Sequence, residues 1–222
     1  MTDFTAARLN MIESQVRPNG ITDRRIIAAM ERVPREAFVP ESRRVVAYMD
    51  EDVPLQPSDA AVGRRALIEA MAFARMLQHA AIRPSDKVLL VGAGTGYGAA
   101  VVSAIAGQVF ALECDPGLAA EARRNLEGLA NVTVKEGALP GGLPDSQPFD
   151  VIVIEGRVEE VPQALLDQLA DGGRLVAAVG EADMAQACVY TKSGAAIATR
   201  QVFDASVTAL PGFRKKKPAF MF

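Results

Sequence analysis

Two different spacings of apolar residues alternate along the chain from residue 87 onward. Short apolar runs indicate buried strands, and segments in which apolar residues recur every three to four positions indicate helices. The strands are expected at 87–91, 108–113, 131–135, 150–154, 174–179, 186–191 and 196–203, and the helices at 97–106, 116–128 and 162–169. Strands that alternate with helices form a parallel sheet. The last two strands are joined by Lys192-Ser193-Gly194, a hairpin signal that places an antiparallel strand in this otherwise parallel α/β sheet.

The N-terminal part of the chain has a helical pattern instead. Amphipathic helices are predicted at 3–17 and 22–32, the second capped by Thr22 and stopped by Pro34, and a third helix is predicted from Ala60 to Ala81. The connection over 41–59 is rich in acidic residues and proline, and its length suggests a functional role. We therefore expect a helical cap with its connecting loop over residues 1–83 and a Rossmann-like core over 84–222, forming one compact unit.

Length and charge exclude several classes of protein. A chain of 222 residues with 50% hydrophobic content can fill one core. The net charge of −3 gives no general attraction to nucleic acid or acidic lipid, and we interpret the single basic run at 214–217 as a solvated turn. No apolar stretch has the roughly 18 residues of a membrane span, and the first residues do not resemble a secretion signal. These features predict a cytoplasmic protein without nucleic-acid or membrane partners.

Metal-binding and nucleophilic residues are sparse. The two cysteines, Cys114 and Cys188, lie far apart, and His79 is the only histidine. A zinc site needs a cluster of such ligands, so no metal site is expected. No Ser-His-Asp set and no pair of carboxylates at catalytic spacing is apparent. We interpret Cys114 and His79 as structural residues.

The strongest chemical signal is the segment Val88–Gly98, in which an apolar strand runs into a loop with glycine at every second position. Such a loop turns sharply, and its backbone can approach a ligand closely at the start of the next helix. Glu113 ends the following strand, where a carboxylate suits the hydroxyls of a ribose. The pattern predicts a nucleotide-type cofactor site. Glycine spacing alone does not distinguish a nicotinamide dinucleotide, for which Gly94–Ala99 fits a relaxed motif, from S-adenosylmethionine.

Several motifs from Met11 to Val179 give the chain a resemblance to a known family. The N-terminal motifs are Gln15-Val16-Arg17, Gly20-Ile21-Thr22-Asp23, the stretch from Val33 to Pro40 (Val-Pro-Arg-Glu-Ala-Phe-Val-Pro) and Ala47-Tyr48-Met49-Asp50. The core motifs are Gly92-Ala93-Gly94-Thr95-Gly96-Tyr97, Glu113 and Pro148-Phe149-Asp150. In this order they resemble the protein-L-isoaspartate O-methyltransferase family. The stretch from Val33 to Pro40 is the most specific of them.

This resemblance implies a seven-stranded class I methyltransferase fold, with S-adenosylmethionine as cofactor. The antiparallel strand agrees, since by analogy it favours a methyltransferase over a dehydrogenase. Family members methylate the free carboxylate of isoaspartyl residues in damaged proteins, so such peptides or proteins are the implied partners. An acceptor oxygen that is already anionic needs no general base. The cofactor residues implied are Gly92, Ala93, Gly94, Gly96, Tyr97, Glu113, Cys114, Ala138 and Glu155.

The chain departs from the family at the substrate motif. Where the family has a Thr-Ile-Ser-Gln-Pro type sequence, residues 61–65 read Ala-Val-Gly-Arg-Arg. Gly63, Arg64 and Arg65 therefore become the substrate-binding candidates. Two interpretations of the arginines remain open: a clamp for a carboxylate or phosphate, and solvated positions in the first turn of the predicted helix.

Further departures affect the cofactor side. Leu90 replaces an acidic residue and Ala138 replaces an aspartate, so weaker cofactor binding is expected. Glu155 either compensates for a missing acid or forms a surface ion pair with Arg157 or with one of the arginines at 64 and 65. The alternative function is a protein of the same fold that has lost the repair reaction, acting as a cofactor-binding or regulatory module or on another methyl acceptor.

Overall fold

A computed structural model describes residues 2–181 and 185–214. Six α-helices lie in this part of the chain: α1 Phe4–Met11, α2 Arg24–Arg32, α3 Ala70–Ala80, α4 Tyr97–Ser103, α5 Pro116–Asn125 and α6 Gln163–Asp167. Two short strands, β1 Val53–Pro54 and β2 Ala66–Leu67, pair with each other. The main sheet consists of β3 Lys87–Val91, β4 Gln108–Glu113, β5 Val132–Glu136, β6 Phe149–Val158, β7 Leu169–Val179, β8 Gln186–Ser193 and β9 Ala196–Asp204.

The seven strands lie in the order β5-β4-β3-β6-β7-β8-β9. Strands β3 to β7 are parallel. β8 runs antiparallel to β7, and β9, joined to β8 by the predicted hairpin, again runs in the direction of β3 to β7. The predicted fold class is thus confirmed. From β3 the chain builds one half of the sheet through β4 and the other half through β6. Ligands of open α/β sheets bind at such a point, beyond the carboxyl end of the strands.

The sheet separates two apolar clusters because successive side chains of a strand point to opposite faces. Val88 and Leu90 of β3 lie in the larger cluster, which also contains buried residues of the helical cap. Leu89 and Val91 lie in the smaller cluster on the other face. Leu90, which stands where the family has an acidic residue, is fully buried. Its side chain therefore serves packing of the cap onto the sheet.

The predicted helix from Ala60 to Ala81 is wrong in its first ten residues, because α3 begins at Ala70. Residues 60–62 form a single 3-10 turn, which ends at Gly63 with a φ of 76°. Residues 66–67 are then held in strand β2 by pairing with β1. Tertiary pairing thus overrides the helical spacing. As a consequence, Arg64 and Arg65 are not on a helix.

Smaller differences concern element ends. The side chain of Asp23, rather than that of Thr22, caps α2 by accepting a hydrogen bond from the backbone N–H of Arg25 at 2.9 Å. Helix α1 ends at Met11 and continues as a π-helical turn to Val16. Strand β6 extends beyond the predicted 150–154, and β7 begins earlier than 174. The two strands continue to pair with each other over these additional residues, with two shifts of register along the way.

Arg174 of β7 holds the end of α3 against the sheet. Its guanidinium donates hydrogen bonds to the carbonyl oxygens of Ala80 at 2.5 Å and Ala81 at 2.6 Å, and it pairs with Asp86 at 2.6 Å. Because these are charge-assisted bonds in a largely buried place, we expect Arg174→Met to lower the free energy of unfolding by about 1–3 kcal/mol. Urea denaturation measures the change. A loss below about 0.5 kcal/mol, typical of surface substitutions, would contradict this role.

Two expectations concern membranes and charge. Among the residues that the structure describes, no helix has both the length and the apolar character needed to span a bilayer. Of the basic run at 214–217, only Arg214 lies within the described residues, so the predicted solvated turn is not tested.

Candidate functional site

The glycine loop lies directly beyond the carboxyl end of β3, at the centre of the sheet. Gly94 has a φ of 55° and Gly96 a φ of 98°, values at which residues with a Cβ are strained. Gly96 is also the N-cap of α4, and a Cβ there would lie 2.8 Å from Leu126 Cδ1. The loop thus has the geometry expected from its sequence.

Glu113 ends β4, the neighbour of β3, and its side chain is fully buried under the loop. One carboxylate oxygen accepts a hydrogen bond from Gly94 N–H at 2.7 Å. The other accepts from Cys114 N–H at 2.8 Å and Asp115 N–H at 3.0 Å. Three backbone donors therefore hold the carboxylate in one orientation.

Arg65 supplies the remaining partners of this carboxylate. Its Nη1 lies 2.5 Å from Oε1 of Glu113 and its Nη2 lies 2.8 Å from Oε2, and Nη2 also donates to the carbonyl of Gly92 at 3.1 Å. Both side chains have no solvent exposure. Arg65 is therefore not a solvated residue, and its guanidinium is paired with a carboxylate of the protein itself. With five N–H donors on its two oxygens, and the Cys114 thiol 3.5 Å from Oε1, the carboxylate of Glu113 is saturated.

Residues 55–65 carry Arg65 and form a segment that we call the strap. The pairing of β1 with β2 brings its two ends together, and Leu55 N–H donates to the Arg65 carbonyl at 2.9 Å. In its middle, Ser58 Oγ lies 3.1 Å from both carboxylate oxygens of Asp115, the N-cap of α5. Asp59 N–H donates to the same carboxylate at 2.8 Å. The strap is thus fastened to the ends of two core elements.

Two leucines cover the open face of the glycine loop. A Cβ on Gly94 would lie 2.8 Å from Leu55 Cδ1, and a Cβ on Gly92 would lie 2.8 Å from Leu210 Cδ1. Leu55 belongs to the strap. Leu210 belongs to the segment after β9, and its backbone N–H donates a hydrogen bond to the Arg157 carbonyl at 2.8 Å. Sequence reasoning missed both residues, since a single leucine in an irregular segment carries no periodic signal.

Glu155 belongs to strand β6, and its carboxylate packs against Gly98 in the first turn of α4, directly after the glycine loop. Its strand, β6, shifts register against β7 between Val153 and Arg157, and its side chain is only 5% exposed. A Cβ on Gly98 would collide with the Glu155 carboxylate. Burial raises the pKa of Glu155 to about 8 against the opposing charge of Arg65, and Oε1 has no hydrogen-bond partner among the described residues. The interpretation as a surface ion pair is therefore wrong.

The Val33–Pro40 motif connects the cap to the loop. Its Arg35 is fully buried and donates to the carbonyls of Ala47 at 2.7 Å and Ile68 at 2.6 Å. The same guanidinium lies 5.0 Å from the ring centroid of Tyr97, whose pKa is raised by burial. Nη1 of Arg35 and Oη of Tyr97 lack partners in the described part of the chain. Sequence reasoning used this motif only for the resemblance and missed the place of Arg35 beside the site.

The remaining predicted cofactor residues surround this centre at different depths. Ala93 is buried, and its N–H donates to the Leu112 carbonyl at 3.0 Å. Cys114 is half-buried, and burial followed by the charge of Glu113 raises the pKa of its thiol to about 11, so it is not a thiolate at neutral pH. Ala138 is exposed just beyond β5. The structure thus brings the loop, Glu113 and Cys114 together and leaves Ala138 at the surface.

Two cavities adjoin the strap, with volumes of about 810 Å³ and 660 Å³. Gly63, Arg64 and Thr208 line both of them. Arg64 is exposed and forms no ion pair or hydrogen bond through its side chain with any described residue. No group of His, Cys, Asp and Glu side chains in the described ranges could hold a metal ion.

Comparison with known proteins adds independent information. The family model described as protein-L-isoaspartate(D-aspartate) O-methyltransferase matches residues 7–211. A protein-L-isoaspartate O-methyltransferase from Koribacter versatilis is 39% identical over 221 residues, which cover 99% of this chain and 97% of that protein. A protein-L-isoaspartate O-methyltransferase 2 from Marinobacter nauticus is 42% identical over 182 residues, covering 80% of each chain.

Solved structures agree in fold. One, described as a protein-L-isoaspartate O-methyltransferase, has a TM-score of 0.79 and 25% identity, covering 92% of this chain and 66% of that chain. A second, from Plasmodium falciparum, is in complex with S-adenosyl-L-homocysteine and has a TM-score of 0.75 and 18% identity, covering 95% of this chain and 99% of that chain. The second likeness extends the agreement in fold to nearly the full length of both chains.

Proposed function

The chain belongs to the protein-L-isoaspartate(D-aspartate) O-methyltransferase family, and we propose on this basis that it is an S-adenosylmethionine-dependent methyltransferase of isoaspartyl carboxylates in damaged proteins. The observation that carries the proposal is the family match over residues 7–211, which includes the cap, the glycine loop and Glu113. The relative from Koribacter versatilis matches over nearly its whole length, so the similarity is not confined to a shared cofactor fold.

The backbone positions of the glycine loop and Glu113 support this function. The glycine loop and Glu113 lie at the point where the order of the parallel strands reverses, where α/β proteins bind nucleotide-type ligands. The larger cavity, which is lined by Arg64 and by Leu210, the residue that covers Gly92, is the proposed place of the acceptor peptide. The acceptor is a carboxylate that is already anionic, so alignment and charge placement are the contributions required of the protein. This requirement agrees with the sequence, in which no nucleophile with an adjacent general base is apparent.

The arrangement of side chains does not admit the cofactor as it stands. The carboxylate of Glu113 has no free acceptor position for ribose hydroxyls, because Arg65 uses both of its oxygens. The faces of Gly92 and Gly94 are covered by Leu210 and Leu55. The backbone framework therefore suits the cofactor, whereas the side chains within it do not.

Binding and transfer can be tested in one sample. The purified protein is titrated calorimetrically with S-adenosylmethionine and with S-adenosylhomocysteine, and radiolabelled methyl transfer to an isoaspartyl peptide is then measured. The matched control is the same peptide with a normal aspartyl residue. We expect labelling of the isoaspartyl peptide alone. Cofactor binding without labelling would refute the acceptor, and no cofactor binding would refute the enzyme class for this chain.

Arg64 is the proposed contact for the acceptor carboxylate, because it lines both cavities and its guanidinium is unpaired within the described residues. We expect Arg64→Ala to raise the KM for the isoaspartyl peptide about two- to fivefold, since an exposed ion pair contributes about 0.2–1 kcal/mol. Cofactor affinity should not change. Steady-state kinetics with varied peptide test this, and an unchanged KM would remove Arg64 from the acceptor site.

A further inference from the structure

We propose that Arg65 is an internal competitor of the cofactor: it occupies Glu113 in a closed state, and cofactor binds only when the strap withdraws this side chain. The inference rests on the proposed function, because it concerns the same cofactor site. It goes further in assigning to residues 55–65 a gating role and to Arg65 a specific inhibitory contact.

The pair of Arg65 and Glu113 has the chemistry of a bound ligand. The guanidinium makes two parallel hydrogen bonds to the carboxylate at 2.5 Å and 2.8 Å and a third to the Gly92 carbonyl at 3.1 Å. A planar fork of donors against a carboxylate is the strongest side-chain pairing available to arginine. The hydroxyls of a ribose are likewise donors to Glu113 in this fold. Arg65 and a ribose therefore require the same two oxygens.

The surroundings of the pair indicate that it can separate. Glu113 retains three backbone N–H partners without Arg65, so the carboxylate does not depend on the guanidinium for its orientation. Nε of Arg65 is buried without a hydrogen-bond partner in the described structure, so the closed state leaves one donor unsatisfied. A buried, unsatisfied donor lowers the stability of the closed state.

The strap provides a route for withdrawal. Arg65 follows Arg64 and Gly63, which line the two cavities outside the core. Arg65 itself borders the smaller cavity through its backbone, because its side chain has no solvent exposure. Residues 59–61 and 63–64 are exposed. Leu55 lies on the same segment as Arg65 and covers Gly94. A displacement of the strap would therefore free the carboxylate and the glycine face together.

If Arg65 competes with the cofactor, removing its guanidinium should raise the affinity for S-adenosylhomocysteine. Apparent affinity falls in proportion to the fraction of molecules in the competent state, so deleting the competitor should restore it. We expect Arg65→Met, which keeps much of the side-chain volume, to bind S-adenosylhomocysteine about tenfold more tightly, or better, than the unmodified protein. Arg64→Met removes the same charge one residue away and should leave this affinity unchanged. Calorimetric titration with S-adenosylhomocysteine measures all three proteins, and circular dichroism verifies their folding.

The outcomes separate this proposal from the proposed function. Tighter binding by Arg65→Met alone supports the competitor. Equal binding by Arg65→Met and the unmodified protein overturns the competitor and leaves the methyltransferase function intact. No binding by any of the three folded proteins overturns the competitor and counts against the cofactor site as well. Equal gains in Arg65→Met and Arg64→Met also overturn the competitor, because they indicate a general charge effect.

A second measurement needs no variant and therefore covers the case in which Arg65→Met does not fold. Hydrogen–deuterium exchange is followed in the unmodified protein with and without saturating S-adenosylhomocysteine. If the ligand displaces the strap, exchange should accelerate at the amides of Leu55 and Asp59, whose hydrogen bonds fasten it, and slow at Gly94 in the loop. Slower exchange at all three amides, or no change at any of them, overturns the proposal.

Discussion

Glu113→Gln is expected to lower the free energy of unfolding by about 3–5 kcal/mol, the effect found when one partner of a buried ion pair is removed. The substitution leaves the guanidinium of Arg65 buried without an anion. It also replaces one acceptor oxygen by an NH₂ donor. Because backbone N–H groups face both oxygens, this new donor would face another donor. Both effects act against the folded state. Urea denaturation followed by circular dichroism measures the loss.

Two comparisons make this result specific. Glu13→Gln removes the acid of the exposed pair with Arg17 and should cost less than about 0.5 kcal/mol. Arg65→Met should cost less than Glu113→Gln, since Glu113 keeps its backbone partners. In the double variant the losses should be less than additive, because the two residues contact each other directly. A loss under about 1 kcal/mol for Glu113→Gln would mean that Arg65 is solvated and the pair is open in solution.

Glu155→Gln should stabilise the protein in alkaline solution, by about 2–4 kcal/mol at pH 9 relative to its effect at pH 4.5. Burial raises the pKa of Glu155 from 4.5 to about 8 in the folded protein. The folded state therefore holds a proton that the unfolded chain releases as the pH rises above 4.5. The contribution of Glu155 to the free energy of unfolding therefore falls between pH 4.5 and 8 and is lowest above pH 8. Glutamine has the same shape and does not ionise, so the variant escapes this loss.

The measurement is urea denaturation of the unmodified protein and the variant at pH 4.5 and pH 9. Contributions of other titrating groups cancel in the difference between the two proteins. Glu160→Gln is the matched control, because Glu160 is exposed, and its difference from the unmodified protein should not depend on pH. If the advantage of Glu155→Gln is the same at both pH values, Glu155 is ionised in the folded state and the closed arrangement around it is wrong.

Glu113 and Glu155 differ in their surroundings, and this difference sets the charge of each. Glu113 and Glu155 are both carboxyl groups beside the glycine loop, yet only Glu113 has an arginine and backbone donors as partners. The buried charge of Arg65 opposes the effect of burial on Glu155 without cancelling it. Withdrawal of Arg65 in the open state would leave Glu155 with less positive charge nearby, which favours its neutral form.

Most of the fold could be predicted from the sequence. The strands β3 and β4 were predicted with their observed bounds, because continuous apolar runs that end at glycine or acidic residues have few other structural solutions. The hairpin of β8 and β9 followed from Lys192-Ser193-Gly194. The glycine loop and Glu113 were identified as neighbours for a related reason: parallel strands end at the same edge of a sheet.

The contacts across the site depended on segments without a periodic pattern. Residues 60–69 have helical spacing, and only their pairing and the turn at Gly63 in the folded chain keep them out of α3. The burial of Glu155 follows from a register shift of β6, which no local sequence signal specifies.

The sequence by itself determined the succession of strands and helices along the chain, the glycine loop and the acid beside it, because these depend on local propensity and on the alternation of apolar residues. Only the tertiary structure decided that Arg65 pairs with Glu113 and that Leu55 and Leu210 cover the loop. The physical reason is that a charged side chain is stable in a core only beside its partner, and that partner lies 48 residues away in sequence.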